Sequence, residues 1–109
     1  MADNATSVEA LKDLVRRFVA ERAWEPYHSP KNLAMGLAVE AAELMEHFLW
    51  VDADASRQVV QDPVKLAAVA EELADVACHV LNLSNVLGLD LSEAIRAKLV
   101  KNALKYPAE

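Results

Sequence analysis

Glycine and proline are scarce in this chain, and that scarcity is the strongest constraint on its fold. Two glycines and four prolines occur in 109 residues, too few for the frequent turns that an all-β protein of this size needs. Apolar residues instead recur three and four positions apart, as in Leu11, Leu14 and Phe18. Because this spacing is typical of amphipathic helices, we expect an all-α protein.

Capping residues mark where the helices begin. Thr6 with Glu9 forms a capping-box pattern, as does Asp90 with Glu93, while Ser29 and Asp62 each precede a proline. The helices predicted in this way run from the Thr6 cap to about Glu21, from Pro30 to about Trp50, from Pro63 to about Leu87 with Gly88 as its C-cap, and from the Asp90 cap to Tyr106. Four helices with short connections predict one domain over residues 1–109, an antiparallel four-helix bundle-like protomer.

Charge and composition narrow the possible partners. The net charge of −6 argues against binding to a nucleic acid polymer or an anionic membrane surface. Apolar residues make up 54% of the chain, more than a four-helix unit this small can bury, so we expect a homo-oligomer. No apolar run is long enough for a membrane span. The single cysteine, Cys78, is interpreted as a small core residue in a reducing compartment, which predicts a cytoplasmic protein.

Two pairs of acidic residues are the main chemical feature. Glu40 and Glu43 are three positions apart on the second predicted helix, and Glu72 and Asp75 repeat this spacing on the third. The two carboxylates of each pair therefore share one helix face, and their mutual repulsion costs about 0.2–0.5 kcal/mol. If the two helices pack with these faces opposed, four carboxylates converge on one site.

No local cation offsets this repulsion. Neither Lys nor Arg occurs between Lys31 and Arg57, or between Lys65 and Arg96. A bound divalent cation is a natural counter-charge, and ligands that are all carboxylate oxygens favour Mg²⁺ or Mn²⁺ over zinc. The alternative is that both acidic faces are simply exposed to solvent.

Glu-x-x-Glu on one helix followed by Glu-x-x-Asp on another is the signature of the MazG-like all-α nucleoside triphosphate pyrophosphohydrolases. The chain resembles this family, and within it the dCTP pyrophosphatase branch, over about residues 7–107. Several segments carry the resemblance: Glu21 to Glu25, His28, Pro30, Asn32-Leu33, Glu40 to Trp50, Glu71 to Val76, Lys98, Asn102 and Tyr106-Pro107.

The resemblance implies a homotetramer that hydrolyses a nucleoside triphosphate between its α and β phosphates. The products would be a nucleoside monophosphate and pyrophosphate, and the substrate dCTP or a 5-substituted dCTP, in the cleansing of nucleotide pools. It also implies a magnesium site at Glu40, Glu43, Glu72 and Asp75.

Candidate residues for water activation and base binding surround these ligands. Glu43, rather than Glu40, is the preferred residue to orient or deprotonate the attacking water. Trp24 and Trp50 bracket the second helix and are candidates to stack on the base, with core filling as the alternative. His28 and His79 are candidates to bind base or sugar, although either histidine can be structural.

Phosphate contacts are expected from the fourth helix. Lys98, Asn102 and Tyr106 follow the family pattern, and Lys31 is a further candidate. Compensation of the helix dipole is the alternative role for the lysines of the fourth helix. The chain departs from the branch at His79, where a tyrosine is common, and this departure bears on base preference.

Two other functions are compatible with the sequence. One is a non-catalytic helical oligomerisation module, and the other is a regulatory protein that binds nucleotide without hydrolysing it. Phe18, on the apolar stripe of the first helix, is most simply interpreted as a core residue.

Overall fold

The computed structural model describes residues 1–109 and contains helices without any strand, which confirms the all-α class. Five α-helices follow one another along the chain: α1 (Val8–Glu21), α2 (Pro30–Glu46), α3 (Ala53–Arg57), α4 (Pro63–Leu87) and α5 (Leu91–Lys105). Short 3₁₀ segments lie at Asp3–Ala5, Glu25–Tyr27 and Gln58–Gln61. None of the helices is both long and apolar enough to span a membrane.

Local capping explains most helix boundaries. The side chains of Ser29, Asp62 and Asp90 accept hydrogen bonds from the backbone N–H three residues further on, at 2.9–3.1 Å. Gly88 ends α4 in the left-handed conformation, with φ of 65°, which glycine adopts without steric cost. These predicted starts and the predicted end of α4 are confirmed.

Two predicted boundaries were wrong. The cap of α1 is Ser7, which accepts from the N–H of Ala10 at 3.0 Å, whereas the Thr6 hydroxyl has no partner. Helix α2 ends at Glu46 and not at Trp50. From His47 onward the backbone N–H groups bond three residues back, because bulky residues of modest helix propensity follow and Asp52 already caps α3.

Helix α4 is the centre of the protomer. It packs most extensively against α2 and next against α1, and the best-buried apolar side chain is Leu33 of α2, at 3% exposure. Helix α5 packs extensively against none of the others. In place of the predicted four-helix bundle, α1, α2 and α4 pack together and the fourth long helix, α5, projects from them. The segment before α5 is held to α1 where the Lys12 ammonium donates to the Leu89 carbonyl at 2.9 Å.

The projecting helix leaves much apolar surface uncovered. The radius of gyration is 16.4 Å, against about 13 Å for a compact chain of this length. Along α5, Ile95, Leu99, Val100 and Leu104 are between 49% and 81% exposed. The single chain does not bury all of its own apolar stripes.

Candidate metal centre and nucleotide pocket

Helices α2 and α4 bring three acidic side chains together. Oxygen atoms of Glu40, Glu43 and Glu72 all lie within 4.8 Å of one another, and we call these three residues the carboxylate cluster. Glu40 and Glu43 are one turn apart on α2, and the contact of α2 with α4 adds Glu72 from the facing helix. Asp75 lies one turn beyond Glu72, close enough for its charge to act on the cluster.

The carboxylates of the cluster are partly buried and lie close to one another's negative charges. One oxygen of Glu40 and one of Glu72 are buried without a hydrogen-bond partner. Burial, followed by the hydrogen bond and charge of Glu43, raises the pKa of Glu40 above its ordinary value. Burial also raises the pKa of Glu72, with the charge of Glu43 as the next cause and that of Asp75 contributing. The charges that lower these pKa values come from two histidines, His79 for Glu40 and His47 for Glu72, and they do not outweigh the effects that raise them.

A divalent cation fits these residues. Buried acceptor oxygens without donors cost free energy unless something positive or protic satisfies them, and no lysine or arginine forms an ion pair with the cluster. Carboxylate oxygens are hard ligands of the kind that Mg²⁺, Mn²⁺ and Ca²⁺ take. The cluster could therefore hold a metal ion between α2 and α4.

A cavity of about 550 Å³ opens beside the cluster and includes Asp75 in its wall. Its lining is mostly apolar, with a few polar groups, which is the usual make-up of a small-molecule site. The lining residues are Leu14, Val15, Phe18, Val19, Trp24, His28, Leu33, Asp75, Cys78, His79 and Asn82. We refer to this space as the aromatic cavity.

A reversal of the chain after α1 builds its aromatic wall. Ala23 takes a left-handed conformation with φ of 53°, and the Trp24 N–H returns to the Val19 carbonyl at 3.1 Å, as in a Schellman C-cap. The reversal stacks Trp24 edge-to-face with Phe18 at 5.7 Å and with His28 at 5.9 Å. An alanine in this conformation costs about 1–2 kcal/mol, which the aromatic packing offsets.

The two histidines of the cavity are held by different groups. The Nδ1 atom of His28 lies 3.0 Å from the side-chain nitrogen of Asn82. The Nδ1–H of His79 donates to the Asp75 carbonyl at 3.0 Å, and the His79 ring packs against Gly36, where an added Cβ would lie 2.8 Å from Nε2. Gly36 thus makes room for His79 between α2 and α4.

The remaining predicted contacts lie outside the cavity wall. Trp50 is 90% exposed, and neither it nor Lys31 lines the cavity. Lys98 and Asn102 are on α5 and Tyr106 follows it, so all three belong to the projecting segment and not to the wall. Within the chain, the structure brings Trp24, His28, His79 and Asp75 together. The other predicted contact residues, which are Lys31, Trp50, Lys98, Asn102 and Tyr106, lie outside this wall.

Most residues of the cavity wall were not predicted as site residues, and three of them carry an aromatic ring, a thiol or an amide. Phe18 and Cys78 were interpreted as core, but Phe18 is 48% exposed, Cys78 is exposed, and both line the cavity. Although Cys78 is exposed, partial desolvation of its thiol in the cavity wall, followed by the charge of Asp75, raises the pKa of the thiol, so it is not an activated nucleophile. Asn82 gave no signal in the sequence, because a single asparagine within a helix has no distinctive pattern.

The sequence that builds this inter-helix carboxylate cluster and the adjoining cavity also matches a known family. The model of the MazG-like family matches residues 36–109, and the chain belongs to that family.

Individual relatives agree with this membership. The chain is 38% identical to dCTP pyrophosphatase 1 of Rattus norvegicus, over 93% of this chain and 59% of that protein. It is 35% identical to dCTP pyrophosphatase 1 of Homo sapiens, over 94% and 60% respectively. The chain thus spans about three-fifths of the length of these curated relatives.

A solved structure is also similar over nearly its whole length. The crystal structure of a pyrophosphatase from Archaeoglobus fulgidus DSM 4304 superposes with a TM-score of 0.84 and is 40% identical. The match covers 92% of each chain. The resemblance seen in the sequence is confirmed.

Proposed function

We propose that this protein is a magnesium-dependent nucleoside triphosphate pyrophosphohydrolase. It cleaves between the α and β phosphates and releases a nucleoside monophosphate and pyrophosphate. The observation that carries the proposal is the convergence of Glu40, Glu43 and Glu72, with two buried oxygens lacking partners, beside an aromatic cavity. The names of the relatives, dCTP pyrophosphatase and pyrophosphatase, support it.

The protein's part in the reaction is to hold and orient the reactants. When bound, Mg²⁺ supplies neutralisation of the charge on phosphate oxygens. Glu40 and Glu72 offer the two buried unpartnered oxygens, and we assign them, with Glu43 and Asp75, as its ligands. Glu43 is exposed to solvent, and so we assign it to orient or deprotonate the water that attacks the α phosphorus.

The preferred substrate in this proposal is dCTP or a 5-substituted dCTP, in cleansing of the cytoplasmic nucleotide pool. Trp24 offers an apolar surface to the base, and stacking of this kind contributes about 1–3 kcal/mol per base without selecting among bases. Selection then depends on His28 and His79, which line the same cavity. The single unpaired thiol, Cys78, is consistent with a reducing compartment.

The active form in this proposal is a homo-oligomer, most simply a tetramer. The exposed apolar stripe of α5 needs a partner, and Lys98, Asn102 and Tyr106 lie on this projecting segment. We assign these three residues, with Lys31 and Trp50, to the substrate site in the assembly, where a neighbouring copy can supply them. Light scattering at micromolar concentration tests the claim, and a monomer would contradict it.

The activity is tested by incubating the protein with a panel of ribo- and deoxyribonucleoside triphosphates, with and without Mg²⁺. Chromatography should identify pyrophosphate and a monophosphate, with dCTP among the best substrates. Glu72→Gln should abolish turnover, whereas Glu71→Gln, which changes the exposed neighbouring carboxylate, should not.

Other outcomes select other functions. Orthophosphate and a diphosphate as products would contradict attack at the α phosphorus. Nucleotide binding without any product would indicate a regulatory protein, and neither binding nor turnover would favour an oligomerisation module.

A further inference from the structure

A hydrogen bond between residues far apart in the chain fixes the Nδ1 edge of the His28 ring. The side-chain nitrogen of Asn82, on α4, lies 3.0 Å from Nδ1 of His28, which follows the 3₁₀ segment Glu25–Tyr27. An amide nitrogen can only donate, so Nδ1 must accept and carries no proton. The neutral ring then has its proton on Nε2.

The rest of the His28 ring is also constrained. Its plane meets the Trp24 ring edge-to-face, at 65° and 5.9 Å, and its backbone N–H is bonded to the Glu25 carbonyl at 3.1 Å. Both His28 and Asn82 line the aromatic cavity. Nε2–H of His28 makes no hydrogen bond within the protomer, so it is a free donor in this wall.

We propose that Asn82 is a positioning residue that fixes the Nε2–H tautomer of His28, so that His28 binds the base through a hydrogen-bond acceptor. The inference rests on the proposed function, because it concerns the base of the nucleotide in the aromatic cavity. If the base is cytosine, Nε2–H of His28 donates to O2 or N3 of the ring. The exocyclic amine, which is a donor, then faces away from His28. A donor on the base at this position would face another donor and lose affinity.

The tautomer can be measured without any substrate. Long-range ¹H–¹⁵N correlation spectra distinguish the two neutral tautomers of each histidine, and His28→Phe identifies the His28 signals among the three histidines. The expected result at pH 7.5 is an Nε2–H signal for His28. An Nδ1–H tautomer would mean that the Asn82 amide is turned with its oxygen accepting, and it would overturn the proposal.

Asn82→Asp gives a directional test. A carboxylate has no N–H to donate, so it should accept from Nδ1–H. Because its charge also favours a doubly protonated ring, spectra and KM are recorded at an alkaline pH that keeps the ring neutral, where the tautomer of His28 should be inverted. The unprotonated Nε2 would then face an acceptor of the base. We expect KM for dCTP to rise about tenfold or more, the usual effect of one unmatched buried polar group, with kcat much less affected.

Two further variants separate positioning from charge and from folding. Asn85→Asp adds the same charge one turn later on α4, at a residue that bonds the Lys12 carbonyl and Arg16 and does not line the cavity. It should leave the His28 tautomer unchanged and KM within about twofold of the parent value. Asn82→Leu removes the donor without adding charge, and it should give a mixture of tautomers and an intermediate KM.

The outcomes distinguish this proposal from the proposed function. If Asn82→Asp leaves the tautomer unchanged, or inverts it without changing KM, then Asn82 does not position His28 for base binding. If KM rises equally in Asn85→Asp, charge alone explains the effect and the proposal fails. If the protein hydrolyses no nucleotide while the tautomers behave as expected, the proposed function fails but the role of Asn82 in orienting His28 stands.

Discussion

Replacing Gly36 by alanine tests the close approach of α2 and α4 beside the site. Gly36 lies within α2, and a Cβ added there would come within 2.8 Å of Nε2 and 3.0 Å of Cδ2 of His79. Atoms this close must move apart. His79 cannot swing freely, because its Nδ1–H is bonded to the Asp75 carbonyl on its own helix.

Opposing effects decide the sign of the change in stability. Alanine is favoured over glycine within a helix by about 1 kcal/mol. Displacing His79 loses a hydrogen bond of about 1 kcal/mol and leaves an off-rotamer side chain that costs about 0.5–1.5 kcal/mol. Gly36→Ala should therefore destabilise the protein by about 0.5–1.5 kcal/mol, against the helix propensity.

A double-mutant cycle with His79→Ala isolates the contact. With the ring removed, Gly36→Ala should instead stabilise by about 1 kcal/mol, which gives a coupling of roughly 1.5–2.5 kcal/mol. The assay is urea denaturation of all four proteins at one chain concentration, because the proposed assembly would make stability depend on concentration. An equal gain in stability in both backgrounds would refute the contact between Gly36 and His79.

Three other predictions concern the site. Changing any one of the four proposed ligands to its amide should remove most magnesium-dependent turnover while circular dichroism shows a folded helical protein; normal turnover in all four variants would contradict the metal assignment. Because the folded-state pKa of Glu72 is raised, its protonation stabilises the fold below the ordinary pKa, and that stabilisation is lost as the pH rises through the raised value. In the presence of EDTA, Glu72→Gln should then raise the melting temperature at pH 7.5 but not at pH 4; an equal change at both would refute this. Finally, Trp50→Ala should raise KM for every good substrate, whereas His79→Phe should change their ranking, as measured by kcat/KM.

The starts of α2, α4 and α5 could be predicted from sequence because capping is local. Asp62 and the proline after it define one end of α4, and Gly88 defines the other. The end of α2 could not be predicted, since residues 47–50 continue the apolar pattern without glycine or proline. Thr6 and Ser7 are adjacent and chemically equivalent caps, so only the structure distinguishes them.

The carboxylate cluster was more predictable than the cavity beside it. Two acidic pairs at helical spacing without nearby cations already indicated that Glu40, Glu43 and Glu72 would converge, provided that α2 and α4 packed together. The aromatic wall depends on the left-handed conformation of Ala23, and alanine gives no sign of such a turn, as glycine would. The position of α5 has no local cause at all, because its apolar stripe has no partner within the protomer.

The same closeness of α2 and α4 that sets the carboxylates against one another makes the proposed metal site possible. The contact between these helices buries one oxygen each of Glu40 and Glu72, and it also brings the three cluster oxygens within 4.8 Å. Gly36 lies one turn before Glu40 on the same helix and permits this approach through its missing side chain. A bulkier residue that separated the helices would expose the carboxylates and relieve their repulsion, but it would also move Glu72 away from its partners on α2. Stability of the metal-free protein and geometry of the site therefore cannot be improved together at this contact, and a cation bound between the helices would satisfy both.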